Sequence, residues 1–221
     1  TGNVLYTEDF PGNIQSYDPT TGNTVTIADD LLPTDADPAG LAAVPDDYSG
    51  SLFTAGNFAA TDRGFRNRDS VYRFDPDVAD DDQVVFNNVP NLLDDTFDID
   101  VRADGTVLLA DGPGGLKQLT GPDTVEEVAT SVPLEQVEAV AFDPRSDDAF
   151  VLDEALDAVL DVDLDTGDTT EVITDVGVAT TNWGGLNVIE QDGVLRMVVT
   201  RVADQAVTVY AIPAPGAAAV L

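Results

Sequence analysis

Four of the nine basic residues in this 221-residue chain fall within one short stretch: Arg63, Arg66, Arg68 and Arg73. A guanidinium grips a carboxylate or sulfate through two parallel hydrogen bonds. Arg63, Arg66 and Arg68, on the long stretch 56–70, are therefore the candidate ligand-binding residues. The competing reading spends them on internal pairs with Asp62, Asp69 and neighbouring strands.

The chain has no histidine and no cysteine. Ser-His and Cys-His catalytic pairs, disulfides and His/Cys metal sites are thereby excluded. No G-x-S-x-G, phosphate-loop or dinucleotide glycine pattern occurs, so no catalytic residue can be assigned. No cofactor is required by the sequence, and calcium is the one it leaves open, with unknown ligands. Asp161, Asp163 and Asp165 before Gly167 imitate the start of an EF-hand loop. Thr166 and Val172 then stand where that loop needs Gly and Glu. On a strand the three acids would share a face, and a solvated outer edge is the expectation. Asp75, Asp77, Asp80, Asp81 and Asp82 lie in a loop able to fold round an ion. Trp183, beside Gly184 and Gly185, is a candidate for stacking on a sugar ring, although a lone Trp is more often core.

Acids outnumber bases 42 to 9, a formal net charge of −33. Such a chain repels phosphate, which argues against nucleic acid as a partner. With 43% hydrophobic residues it still has the means to bury a core. Lys117 is the only lysine. An acid-rich, lysine-poor surface suits high salt, and a GC-rich genome yields the same bias. No segment approaches the roughly 20 apolar residues of a membrane span. Thr1 stands where a methionine would begin a chain, and a cleaved signal peptide is expected before it.

The elements that must position these residues are short strands. Apolar runs of a few residues, alternating or β-branched, are separated by Asp, Gly and Pro, which favour turns. A strand–turn–strand unit recurs at 14–27, 71–86, 116–128 and 160–173, and its first strand alone returns at 207–212. Asp18, Asp75, Thr120, Asp163 and Ala211 mark equivalent places in the five copies. Upstream lie further strand pairs: 41–44 with 52–55, 97–101 with 107–110, 137–142 with 149–152, and 186–189 with 194–199. A single strand, 4–7, precedes the first copy. The resulting count is three strands, then four, four and four, then three. Four antiparallel strands per unit of about 45 residues is the pattern of a propeller blade. The expected fold is all-β, a β-propeller of about five four-stranded blades over 1–212, with a Pro/Ala-rich tail at 213–221. A β-sandwich is the alternative.

Two stretches carry resemblances. Residues 98–111, with Asp104-Gly105 at a turn and Ala110-Asp111 ending a strand, resemble the repeat of NHL and gluconolactonase-like propellers. Val140-Ala141-Phe142-Asp143-Pro144, with 163–167, is similar to repeats of YncE-like and quinoprotein-like propellers. The tail Ile212-Pro213-Ala214-Pro215-Gly216 with the apolar residues to Leu221 resembles the start of a PEP-CTERM sorting tail, with Ala214 in place of its Glu. That resemblance implies a bacterial, extracytoplasmic, cell-surface protein. The expected function is a non-enzymatic binding or scaffold module, whose partner is an extracellular polysaccharide or a surface protein. The gluconolactonase-like resemblance implies the alternative, a calcium-dependent hydrolase or lyase in the central channel. Glu8, Asn57, Asp100 and Asn187 are ligands of the right type for it.

Overall fold

Runs of Val, Leu and Ala broken every few residues by Asp, Gly or Pro form strands too short to stand alone, so each must stack on its neighbours. The computed structural model describes residues 4–8, 13–28, 38–63, 69–75, 83–87, 92–178, 184–201 and 205–212. They form five antiparallel sheets in chain order. The first joins β1 (Val4–Glu8), β2 (Asn13–Asp18) and β3 (Asn23–Ala28). The second joins β4 (Pro38–Ala43), β5 (Phe58–Asp62), β6 (Ser70–Phe74) and β7 (Gln83–Asn87). The third joins β8 (Asp98–Val101), β9 (Val107–Ala110), β10 (Leu116–Gly121) and β11 (Thr124–Glu127). The fourth joins β12 (Val137–Phe142), β13 (Ala149–Asp153), β14 (Ala158–Val162) and β15 (Thr169–Thr174). The last joins β16 (Gly184–Gln191), β17 (Val194–Arg201) and β18 (Ala206–Ile212).

The inner strands stand side by side, β4 against β8, β8 against β12 and β12 against β16. Each second strand also meets the next sheet's inner strand, as β5 meets β8, β9 meets β12 and β13 meets β16. This is a five-bladed β-propeller arrangement. Strand β1 meets β4 as a second strand does. The inner place of the first blade and the outer place of the fifth therefore hold no strand among the described residues. The fifth sheet packs on the fourth, and among the described residues no packing of similar extent joins it to the first.

The core lies between successive blades. Leu109 of β9 packs with Ala59, Val71 and Phe86 of the second sheet, while its neighbours Leu108 and Ala110 pack with Val140 and Val151 of the fourth. Alternate residues of one strand thus serve two cores, which is why β9 and β13 are buried along their whole length.

Two expectations are corrected. Residues 52–55 are not a strand; the second strand of the second blade is β5, at Phe58–Asp62. The apolar run that imitated it is a folded loop, where Tyr48 and Phe53 are buried edge to face, 6.0 Å between ring centres. Its Ser49 N–H donates to Ala103 O across to the third blade. Asp163 and Asp165 lie beyond the end of β14 and form no strand face with Asp161. Instead Asp163 Oδ1 accepts from the N–H groups of Asp165 (2.9 Å) and Thr166 (2.8 Å), and Asp18 Oδ1 accepts likewise from Thr20 (2.8 Å). The acids that mark the sequence repeat are turn-formers.

Candidate functional site

The channel is walled by the inner strands, and a cavity of about 240 Å³ opens there among Leu41, Asp98, Asp100, Val140, Phe142 and Asn187. Asp98 and Asp100 alternate on β8, so both carboxylates lie on the same face. Each reaches across to the fourth blade. Val140 N–H donates to Asp98 Oδ2 at 3.1 Å, and Phe142 N–H donates to Asp100 Oδ2 at 2.8 Å. Asp100 Oδ1 also accepts from Val101 N–H at 2.8 Å. The inner edge of each blade is a row of unpaired backbone groups, and these carboxylates satisfy part of it.

Confinement among aliphatic walls sets the acidity. Burial pushes the Asp98 carboxyl up to about 8 against the opposing pull of the Val140 and Ile99 amides, with the Asp100 charge adding to the rise. Burial likewise lifts Asp100 to about 6. Two carboxyls of different acidity at one cavity can divide proton donor and acceptor roles, but structural networks produce the same split. Here the backbone bonds and the packing decide. A Cβ built on Gly40 would lie 2.5 Å from Asp98 Cα and 2.8 Å from Ile99 N. Only glycine lets β4 approach β8 so closely, and Asp98 sits wedged between blades.

Of the four ligand types expected at the channel, Asp100 and Asn187 share the cavity wall. Asn57 lies in the β4–β5 connection, where its carbonyl accepts from Val44 N–H. The side chain of Glu8 lies outside the described residues. A calcium ion takes six to eight oxygens. Two carboxylates already engaged by backbone amides, Asp100 through both oxygens, plus one side-chain amide do not supply that set. Among the described residues no group of three or more acids is placed to hold a metal ion.

Arg63 follows the end of β5 and is held on two sides. Its Nε donates to Asp95 Oδ1 at 2.7 Å and its Nη2 to Asp95 Oδ2 at 3.4 Å. Its guanidinium carbon lies 4.4 Å from the centre of the Phe97 ring. Asp95 belongs to the stretch leading into the third blade, so Arg63 ties two blades together. Arg66, Arg68, Trp183, Asp77, Asp80, Asp81, Asp82 and the tail 213–221 lie outside the described residues.

Sequence reasoning missed a second set of acids, at the ends of second strands. Asp111 Oδ1 accepts from the N–H groups of Asp94 (2.9 Å) and Asp95 (3.2 Å) and from Thr96 Oγ1 (3.2 Å). Asp153 Oδ2 accepts from Glu135 N–H (2.8 Å) and Gln136 N–H (3.3 Å), and its Oδ1 from Leu156 N–H (3.0 Å). Both hold the stretch that leads into their own blade's inner strand. The apolar residue followed by Asp, as in Ala110-Asp111 and Leu152-Asp153, was the available signal. A larger hollow of about 540 Å³ lies on the rim beside Gly114, Lys117, Thr130 and Pro133. Lys117 is mostly buried there, its Nζ 3.9 Å from Glu127 Oε2.

No protein-family model matches the chain, nor does any curated protein. Solved structures do. A chain of a nidogen/laminin complex superimposes with a TM-score of 0.62 at 14% identity, over 94% of this chain and 75% of that one. A putative gluconolactonase gives 0.62 at 14% identity, over 96% and 74%. The PQQ-bound aldose sugar dehydrogenase of Streptomyces coelicolor gives 0.60 at 16% identity, over 99% and 76%. What they share with this chain is the propeller fold. A resemblance to NHL and gluconolactonase-like propellers is thus supported at the level of fold.

Proposed function

We propose that this chain is a non-enzymatic, extracytoplasmic or cell-surface propeller that acts as a binding or scaffold module. The observation that carries the reading is the use of the channel carboxylates. Asp98 and Asp100 are bonded to the backbone of the next blade and walled by aliphatic side chains, so they serve as structural fasteners at the axis. Contacts then fall to the rim and loops, as is common where a rigid scaffold presents variable connections.

The partner in this reading is an extracellular polysaccharide or a surface protein bearing carboxylate or sulfate groups. Arg63 anchors the base of the loop through Asp95 and Phe97, and Arg66 and Arg68 supply the ligand contacts. Titration calorimetry with heparin (sulfated) and polygalacturonate (carboxylated) tests this. Binding should weaken as salt rises, and the double variant Arg66→Gln/Arg68→Gln should lose it at least tenfold with its melting temperature unchanged. No binding of either probe, or unaltered binding by the variant, overturns the assignment. Saturable micromolar calcium binding abolished by Asp100→Asn would favour the hydrolase alternative instead.

A further inference from the structure

Each third strand of the four complete outer pairs meets its fourth strand with a register shift: β2 with β3, β6 with β7, β10 with β11 and β14 with β15. Second and third strands pair without one, as in β1–β2, β5–β6, β9–β10 and β13–β14. The β17–β18 pair is also regular, from Leu195↔Ile212 to Arg201↔Ala206. So β18 is a third strand, and its outer edge carries no strand among the described residues.

That edge lacks the usual protections. Protein edges are defended by charges, proline or bulges, and β18 reads Ala206-Val207-Thr208-Val209-Tyr210-Ala211-Ile212 with none of them. Val207 is 65% exposed and Val209 54%. Of eleven exposed large apolar side chains among the described residues, eight lie on the first and fifth sheets.

We propose that the occupant of this edge is β18 of a second copy, paired antiparallel across a two-fold axis through Val209. The strand is self-complementary about that residue. Val209 would face Val209 of the other copy, Val207 would face Ala211, Thr208 would face Tyr210, and Ala206 would face Ile212. The exposed row Val207, Val209, Ala211 thus meets itself, and the two sheets become one of six strands. Charge selects the same place. Copies carrying −33 each repel nearly everywhere, but this seven-residue strand brings no acid against an acid. An interface that uses the same patch on both copies also closes at two.

The test uses the absence of cysteine. The variant Val209→Cys has one thiol, and directly opposed strand residues lie about 4.5–5.5 Å apart at Cα, within disulfide reach. Under mild oxidation in 1–2 M NaCl it should become a covalent dimer in high yield. Val207→Cys should not, because its two copies would be offset by four residues, roughly 13 Å. Sedimentation of the unaltered chain should show a dimer that strengthens at least tenfold from 0.1 to 2 M NaCl. Val209→Lys should be monomeric with an unchanged melting temperature. A monomer at every salt concentration means the edge is covered from within the chain or left bare, and overturns the proposal. Equal cross-linking at 207 and 209, or a dimer indifferent to Val209→Lys, overturns it as well.

Discussion

Asp98, Asp111, Glu138, Asp100 and Asp161 all hold their protons more tightly in the fold than free carboxyls do. Burial takes Asp98 to about 8, Asp111 and Glu138 to about 7, and Asp100 and Asp161 to about 6. An unfolded carboxyl releases its proton near pH 4. Between pH 4 and each raised value the unfolded chain is ionised while the folded one resists, so stability present at pH 4 falls as pH rises through 6–8. Asp104 acts in the opposite sense, since hydrogen bonding to Arg102 lowers it to about 2, and its contribution is lost only as pH falls through that value. The melting temperature should therefore be roughly 5 °C or more higher at pH 5 than at pH 8. Asp98→Asn keeps an acceptor for Val140 and cannot ionise, so it should raise the melting temperature at pH 8 and flatten the slope. A melting temperature that peaks at pH 8, or an Asn variant less stable there, would contradict this account. Residue type pointed to Asp100 and Asp161 only as calcium-type groups and to Asp98 and Glu138 not at all, because 42 acids offer no contrast; only depth in the fold separates Asp98 from its neighbours.

Among the elements, the stretches leading into the inner strands depend on single acids. Asp153 closes three N–H groups, those of Glu135, Gln136 and Leu156. Asp153→Ala leaves them without acceptors in a largely buried place and should cost about 2–4 kcal/mol, with Asp153→Asn recovering roughly half. Urea unfolding of both variants checks the order, and equal losses would mean that cavity formation dominates. Most strands were legible in the sequence because an alternating run between Asp/Gly/Pro breaks has few other outcomes. The match of Asp18 with Asp163 marked a real equivalence, since both acids shape the same turn. Residues 52–55 misled because an apolar loop packed under Tyr48 and Phe53 reads as a strand. Asp95, the partner of Arg63 across 32 positions, was beyond any local pattern.

For the whole molecule the dominant fact is charge. Self-repulsion among 42 acids weakens the compact state, and salt shortens its reach from about 10 Å at 0.1 M to about 3 Å at 1 M. Attractive pairs are few beside this repulsion, since nine bases stand against 42 acids. The melting temperature should rise by several degrees between 0.05 and 1 M NaCl, followed by circular dichroism. A fall would mean that attractive pairs outweigh repulsion.

The bonds that join the blades at the axis also run one way along the chain. Asp98, Asp100 and Thr7 each offer a side chain, and the later blade answers with backbone at Val140, Phe142 and Ala39. Every residue has a carbonyl, and every residue but proline has an amide hydrogen. The bonds themselves therefore survive a change of side chain at those positions, and what restrains Val140 is its packing with Leu108 and Ala110 of the preceding blade. Drift at this seam costs the hydrogen bonds little, and proline at 140 or 142, which has no amide hydrogen, is the change they cannot accept.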